Sequence, residues 1–162
     1  MARPKAIVGL TPELSYGETA ARAVETRGGE LLDHATGVLD THDIDRVHDM
    51  RVASRRLRAA LEVFEPCFPP KAHKRAIRDL KALADGLGER RDRDVAIAAL
   101  QKFSARMPAP GRPGIDGMVE RLRTEQSEAN EELAPLVSDE KLVSLADQLG
   151  TLVVAARKRA RG

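Results

Sequence analysis

The sequence predicts an all-α fold, an antiparallel bundle of about six helices, on three observations. Aromatic residues are scarce, three Phe and one Tyr with no Trp, while alanine, leucine, arginine and glutamate dominate. Such a composition favours helices and gives strands little to pack with. Apolar residues recur at three- and four-residue spacing along most of the chain. Proline and glycine gather at a few points and cut the periodic stretches into pieces of helical length.

Residues 1–14 carry Pro4 and Pro12 without a persistent period and read as a tail, leaving 15–162 as one helical domain. A first helix is expected from Gly17 to Leu39, with Ala20, Val24, Leu31, Ala35 and Val38 facing inward. Gly28 and Gly29 weaken it by about 1 kcal/mol each relative to alanine, so a bend or fraying is expected there. Asp40 to Asp43 read as a loop, with Asp43 as N-cap of a second helix that runs to Glu65 and stops at Pro66. A third helix is expected from Pro70 to Asp85, ended by Gly86 and Gly88 acting as C-caps. A fourth follows from Arg90 to Arg106, then a Pro/Gly-rich linker over 108–114. The fifth and sixth helices are Ile115–Ala134 and Ser138–Arg159, separated by Pro135. Asp139 and Glu140 suit the first turn of the sixth, and Arg157–Arg159 suit its last.

At 162 residues the chain can bury a sizeable core. Cys67 is the only cysteine, which excludes an internal disulfide and fits a reducing compartment. Neither a signal-type apolar segment nor an apolar run of bilayer-spanning length is present, so a cytoplasmic protein without a membrane partner is expected.

Charge is unevenly distributed. Between Arg46 and Lys81 ten Lys/Arg stand against four Asp/Glu, whereas from Met107 onward eight basic residues meet nine acidic ones. On the second helix His48, Arg51, Arg55 and Arg58 fall within an arc of about 80°, opposite Met50, Ala53, Leu57, Leu61 and Phe64. Arg56 extends the cluster. On the third helix Lys71, Lys74, Arg75, Arg78 and Lys81 fall within about 120°, opposite Ala76, Leu80, Leu83, Ala84 and Leu87. The short connection makes these helices antiparallel neighbours, and two basic stripes then flank one groove. A run of charge on a helix is most often a solvated face, but such faces interleave acids at four-residue spacing. Here only Glu62 and Asp79 stand close to the stripes. The pattern asks for an extended polyanion.

Two motifs carry a resemblance to a known family. His48-Asp49-Met50-Arg51 with Arg55-Arg56-Leu57-Arg58, followed by Leu87-Gly88 and Arg91-Asp92-Arg93-Asp94-Val95, resemble the CHAD domain, the conserved-histidine α-helical domain. The resemblance covers about residues 15–160. It implies a helical bundle that binds inorganic polyphosphate through a basic surface and associates with polyphosphate granules. It also implies binding roles for His48, Arg51, Arg55, Arg56 and Arg58 on the second helix, and for Lys71, Lys74, Arg75, Arg78 and Lys81 on the third. Arg91, Asp92 and Asp94 are read as supporting residues. Two acids in the first turn of the fourth helix suit its dipole, and either can pair with an arginine across the bundle. Full CHAD domains resemble two related four-helix halves facing across a pseudo-twofold. This chain matches one half, which implies a homodimer with both basic hairpins lining one cavity.

Neither a catalytic group nor a cofactor or metal is expected. His34, His42, His48 and His73 have no metal-ligand spacing, and Glu128, Glu131 and Glu132 read as a solvated face. Nonspecific nucleic-acid binding is the first alternative; it uses the same cations, but the stripes lack the aromatics and base-reading amides that such binding favours. A histidine phosphotransfer bundle with His48 as acceptor is a weaker one, since no proline follows Arg51 within the helix and no nucleotide-binding segment follows.

Overall fold

The structure, a computed structural model, describes residues 3–160. The outermost residues of the expected tail and domain, 1–2 and 161–162, lie outside the described residues. Five α-helices follow in order: α1 (Tyr16–Asp33), α2 (Asp45–Val63), α3 (Pro70–Ser104), α4 (Arg112–Leu133) and α5 (Asp139–Ala160). Short 3-10 turns at Glu65–Cys67, Ala109–Gly111 and Ala134–Val137 join them, and the described residues contain no strand. The fold is all-α, as its composition and periodicity predict. No described helix is long and apolar enough to cross a membrane.

α1, α2, α5 and the first half of α3 enclose the main core, where Val24, Leu31, Met50, Leu57, Leu61, Leu80, Leu87 and Leu152 are fully buried. The second half of α3 pairs with α4 as an antiparallel hairpin with its own small seam, including Ile97 and Val119. Leu133 at the end of α4 rejoins the main core.

The third and fourth helices expected from the sequence are one helix, α3, of 35 residues. Gly86 and Gly88 do not cap it: positive φ among the described residues occurs only at Gly9 and Gly37. Gly86 serves close approach instead, since a Cβ there would stand 2.7 Å from Leu136 Cδ1, whereas a Cβ at Gly88 would meet only Arg51 Nε, at an ordinary contact distance of 3.9 Å. α1 likewise runs unbroken through Gly28-Gly29, where Gly28 serves close approach and a Cβ at Gly29 would meet nothing within 4 Å. A Cβ at Gly17 would meet the Ala156 carbonyl at 2.4 Å, and one at Gly28 would meet Leu149 Cδ1 at 2.9 Å. Those glycines let α1 lie tightly on α5.

α1 begins at Ser15, whose hydroxyl accepts from the Glu18 amide at 3.1 Å, and ends at Asp33, short of the expected Leu39. Gly37, at φ +73°, turns the chain in the loop that follows. The residue at the N-cap of α2 is Ile44, without a side-chain cap; Asp43 instead accepts from Arg46 Nε at 2.8 Å. Residues 3–15 lie along α1. The Arg22 guanidinium donates to the Val8 and Gly9 carbonyls, and Lys5 reaches Glu30 and Asp33.

Candidate functional site

Three ties set α2 antiparallel against α3. Near the C-terminal end of α2, the Leu61 carbonyl accepts from the buried His73 ring at 2.8 Å, and that ring stacks on Phe68. At the other end, Arg51 lies across Gly88, and the Arg91 guanidinium donates to the Ile44 carbonyl at 3.4 Å. This register puts Arg55 level with Lys81 and Arg58 level with Arg78.

Gly88 marks the flank of α3 that α2 covers. Lys81 and Lys74 precede it by one and two heptads, so they stand on that flank within about 40° of it. By helical phase the seam between α2 and α3 has Arg51, Arg55 and Arg58 along one side and Lys74 and Lys81 along the other, with Arg78 at its outer lip. Glu62 shares the α2 side, and Asp85 and Asp92 share the α3 side. Arg55 and Arg58 also line a hollow on α2 with Val52, Arg56, Ala59 and Glu62. Lys74, Arg78 and Lys81 are exposed, as are Arg55 and Arg58, while Arg51 and His48 are half-buried. Arg58 pairs with Glu62 at 2.8 Å, and Arg78 with Asp79 at 3.3 Å. The side chains of Arg51, Arg55, Lys74 and Lys81 make no ion pair or hydrogen bond with any described residue. An uncompensated cation on each wall is the arrangement in which a polyanion gains most.

The remaining predicted cations are turned elsewhere. Arg56 lies toward α1 and the buried Glu30. Burial works against the charge of that carboxyl, but the Lys5 amide, Arg27 and Arg56 together hold it below the usual carboxylate range. Lys71 and Arg75 face α5. With Pro69, Ala72, Gln148 and Thr151 they line a crevice of about 370 Å³ between α3 and α5.

Of the expected supporting residues, Asp94 is buried and Asp92 is exposed. No helix starts at these acids, so the dipole role expected for them is overturned by the continuity of α3. Asp94 pairs with Arg90 of its own helix, Nε to Oδ1 at 2.9 Å, both side chains being inaccessible to solvent. Gln126 of α4 donates to the same oxygen at 2.6 Å, and Asn130 accepts from Arg90 while donating to the Leu39 carbonyl at 2.9 Å. Arg90 also reaches the Asp40 carbonyl at 3.4 Å. The cluster thus ties α3, α4 and the loop leading into α2, which carries the basic file. Sequence reasoning missed Arg90, although a signal was present: it stands three residues after Leu87 and seven before Ile97, on the apolar phase of the helix, four residues from Asp94.

Residues 22–162 match the family described as CHAD domain. No curated protein matches the chain significantly.

Proposed function

The chain belongs to the CHAD domain family, and on that footing we propose that it binds inorganic polyphosphate in the groove between α2 and α3, as a binding protein rather than an enzyme. The observation that supports this reading is the set of unpaired cationic side chains along both sides of the α2–α3 seam, with Arg55 level with Lys81 and with Arg51 and Lys74 further along it. Guanidinium forks give paired, charge-assisted bonds to phosphoryl oxygens, and ammonium groups add compact point charges. Successive cations one turn apart on a helix stand about 5–6 Å from each other, so one extended anion touches several at once. His48, half-buried in the same file, adds a ring N–H donor. The buried Arg90–Asp94 cluster acts at a distance from the ligand, by fixing the loop from which α2 starts.

The reading extends to assembly and location: two copies face each other across a twofold axis with their grooves on a shared cavity, and the protein resides in the cytoplasm, at polyphosphate granules. Titration calorimetry with long-chain polyphosphate, on wild type and on Arg51→Ala/Arg55→Ala, tests the site. Each lost charge-assisted contact is worth about 1.5–3 kcal/mol, so the variant binds at least about a hundredfold more weakly. Equal affinities would move the site off this groove, and a folded wild type that binds nothing would overturn the ligand.

A further inference from the structure

The five cations of α3 do not share one flank. Lys74 and Lys81 stand beside α2, Lys71 and Arg75 stand beside α5, and Arg78 lies between the two sets on the outer face. We propose that the crevice between α3 and α5 is a second phosphate subsite, and that one polyphosphate chain fills both subsites by crossing the outer face of α3 over Arg78. This rests on the polyphosphate reading of the groove.

Lys71 and Arg75 are exposed and make no ion pair or hydrogen bond with a described residue. Arg75 stays unpaired although Glu140 and Asp147 of α5 line the adjoining hollow with it. On an ordinary solvated face, one of those acids would be expected to take it. The donors of the other wall are already engaged: the Gln148 amide N–H donates to Asp79 at 2.8 Å, the Thr151 hydroxyl donates to the Asp147 carbonyl at 3.1 Å, and the unpartnered Gln148 Oε1 is an acceptor. Binding donors in the crevice therefore come from α3 itself. To the two side chains its first turn adds the Lys71 and Ala72 amides, which have no acceptor; its N-cap, Pro69, supplies no side-chain bond, and no acid stands in that turn.

A single small anion cannot occupy both flanks, because a helix with its side chains is about 10–12 Å across. A flexible chain with charge on every unit can, and Arg78, held by Asp79 only through its Nε, keeps its terminal nitrogens for the crossing. Glu140 and Asp147 beyond the crevice repel a polyanion, so the track ends there.

Calorimetry with tripolyphosphate and with long-chain polyphosphate separates the possibilities, on wild type, Lys71→Ala/Arg75→Ala and a control of equal charge, Lys102→Ala/Arg106→Ala, all checked by circular dichroism. The crossing predicts that the crevice variant loses at least about tenfold in long-chain affinity relative to the control. Its affinity for tripolyphosphate in the groove stays within about twofold of the control. A crevice variant indistinguishable from the control with the long chain overturns the second subsite. Equal losses with both ligands also overturn it, because the two cations would then act as part of a single site. A wild type that binds neither ligand overturns the polyphosphate reading, and the crossing with it.

Discussion

Arg90 and Asp94 are the residues on which the inside of this molecule is least tolerant of change. Both are shut off from water, and besides their pairing Arg90 is held by Asn130 and Asp94 by Gln126. Removing one partner of a buried ion pair strands the other charge, at a cost of about 3–5 kcal/mol. Arg90→Ala is therefore expected to lose that much stability in urea unfolding; a loss under about 1 kcal/mol would show that Asp94 finds other solvation. A milder residue-scale effect belongs to Asp79. The Gln148 amide bond, against partial burial and with help from Arg78, holds this carboxyl below the usual carboxylate range. Its folded pKa lies below its unfolded one, so the contribution to stability is present above the ordinary carboxylate range and fades as pH falls through the folded value. Gln148→Leu should raise the Asp79 titration midpoint, read by NMR; an unmoved midpoint would assign the depression to Arg78 and Lys141.

Between elements, glycine decides how closely the helices lie. At Gly17 a methyl group would collide with the backbone of α5, whose Ala156 carbonyl has nowhere to go, while at Gly29 a methyl would meet nothing within 4 Å. Gly17→Ala is expected to destabilise by about 1–3 kcal/mol through overpacking. Gly29→Ala, in the same helix, should stabilise by about 0.5–1 kcal/mol by restoring helix propensity. Thermal unfolding of the two variants reads both signs, and matching signs would mean that α1 and α5 are not in this contact. The pair also shows where sequence reading stops. Helices α1, α2, α4 and α5 were legible because apolar period and proline positions are local properties. Gly86 has the same local signature whether it ends a helix or admits a neighbour, and only Leu136, far off in sequence, decides between the two. The basic file was legible for a similar reason, since phase along one helix is local. Its division was not, because α2 and α5 on the two flanks of α3 determine that Lys81 and Arg75 face different crevices.

For the molecule as a whole, electrostatics makes the proposed dimer conditional. The segment from Arg46 to Lys81 holds ten Lys/Arg against four Asp/Glu, and two such segments facing one cavity repel each other. Without ligand, association should be weakest at low ionic strength and improve as salt screens the repulsion over a Debye length of about 10 Å at 0.1 M. Polyphosphate reverses the sign. Neutralising both grooves with one anion converts repulsion into linkage, so ligand and dimer stabilise each other by mass action. Binding itself then weakens with salt as counterions are no longer released, by the logic that governs cationic proteins on nucleic acids. Light scattering at low and moderate salt, with and without long-chain polyphosphate, should give a monomer that becomes a dimer on ligand addition at low salt. A monomeric mass in the presence of saturating, tightly bound polyphosphate would leave the groove intact as a site and remove the twofold cavity.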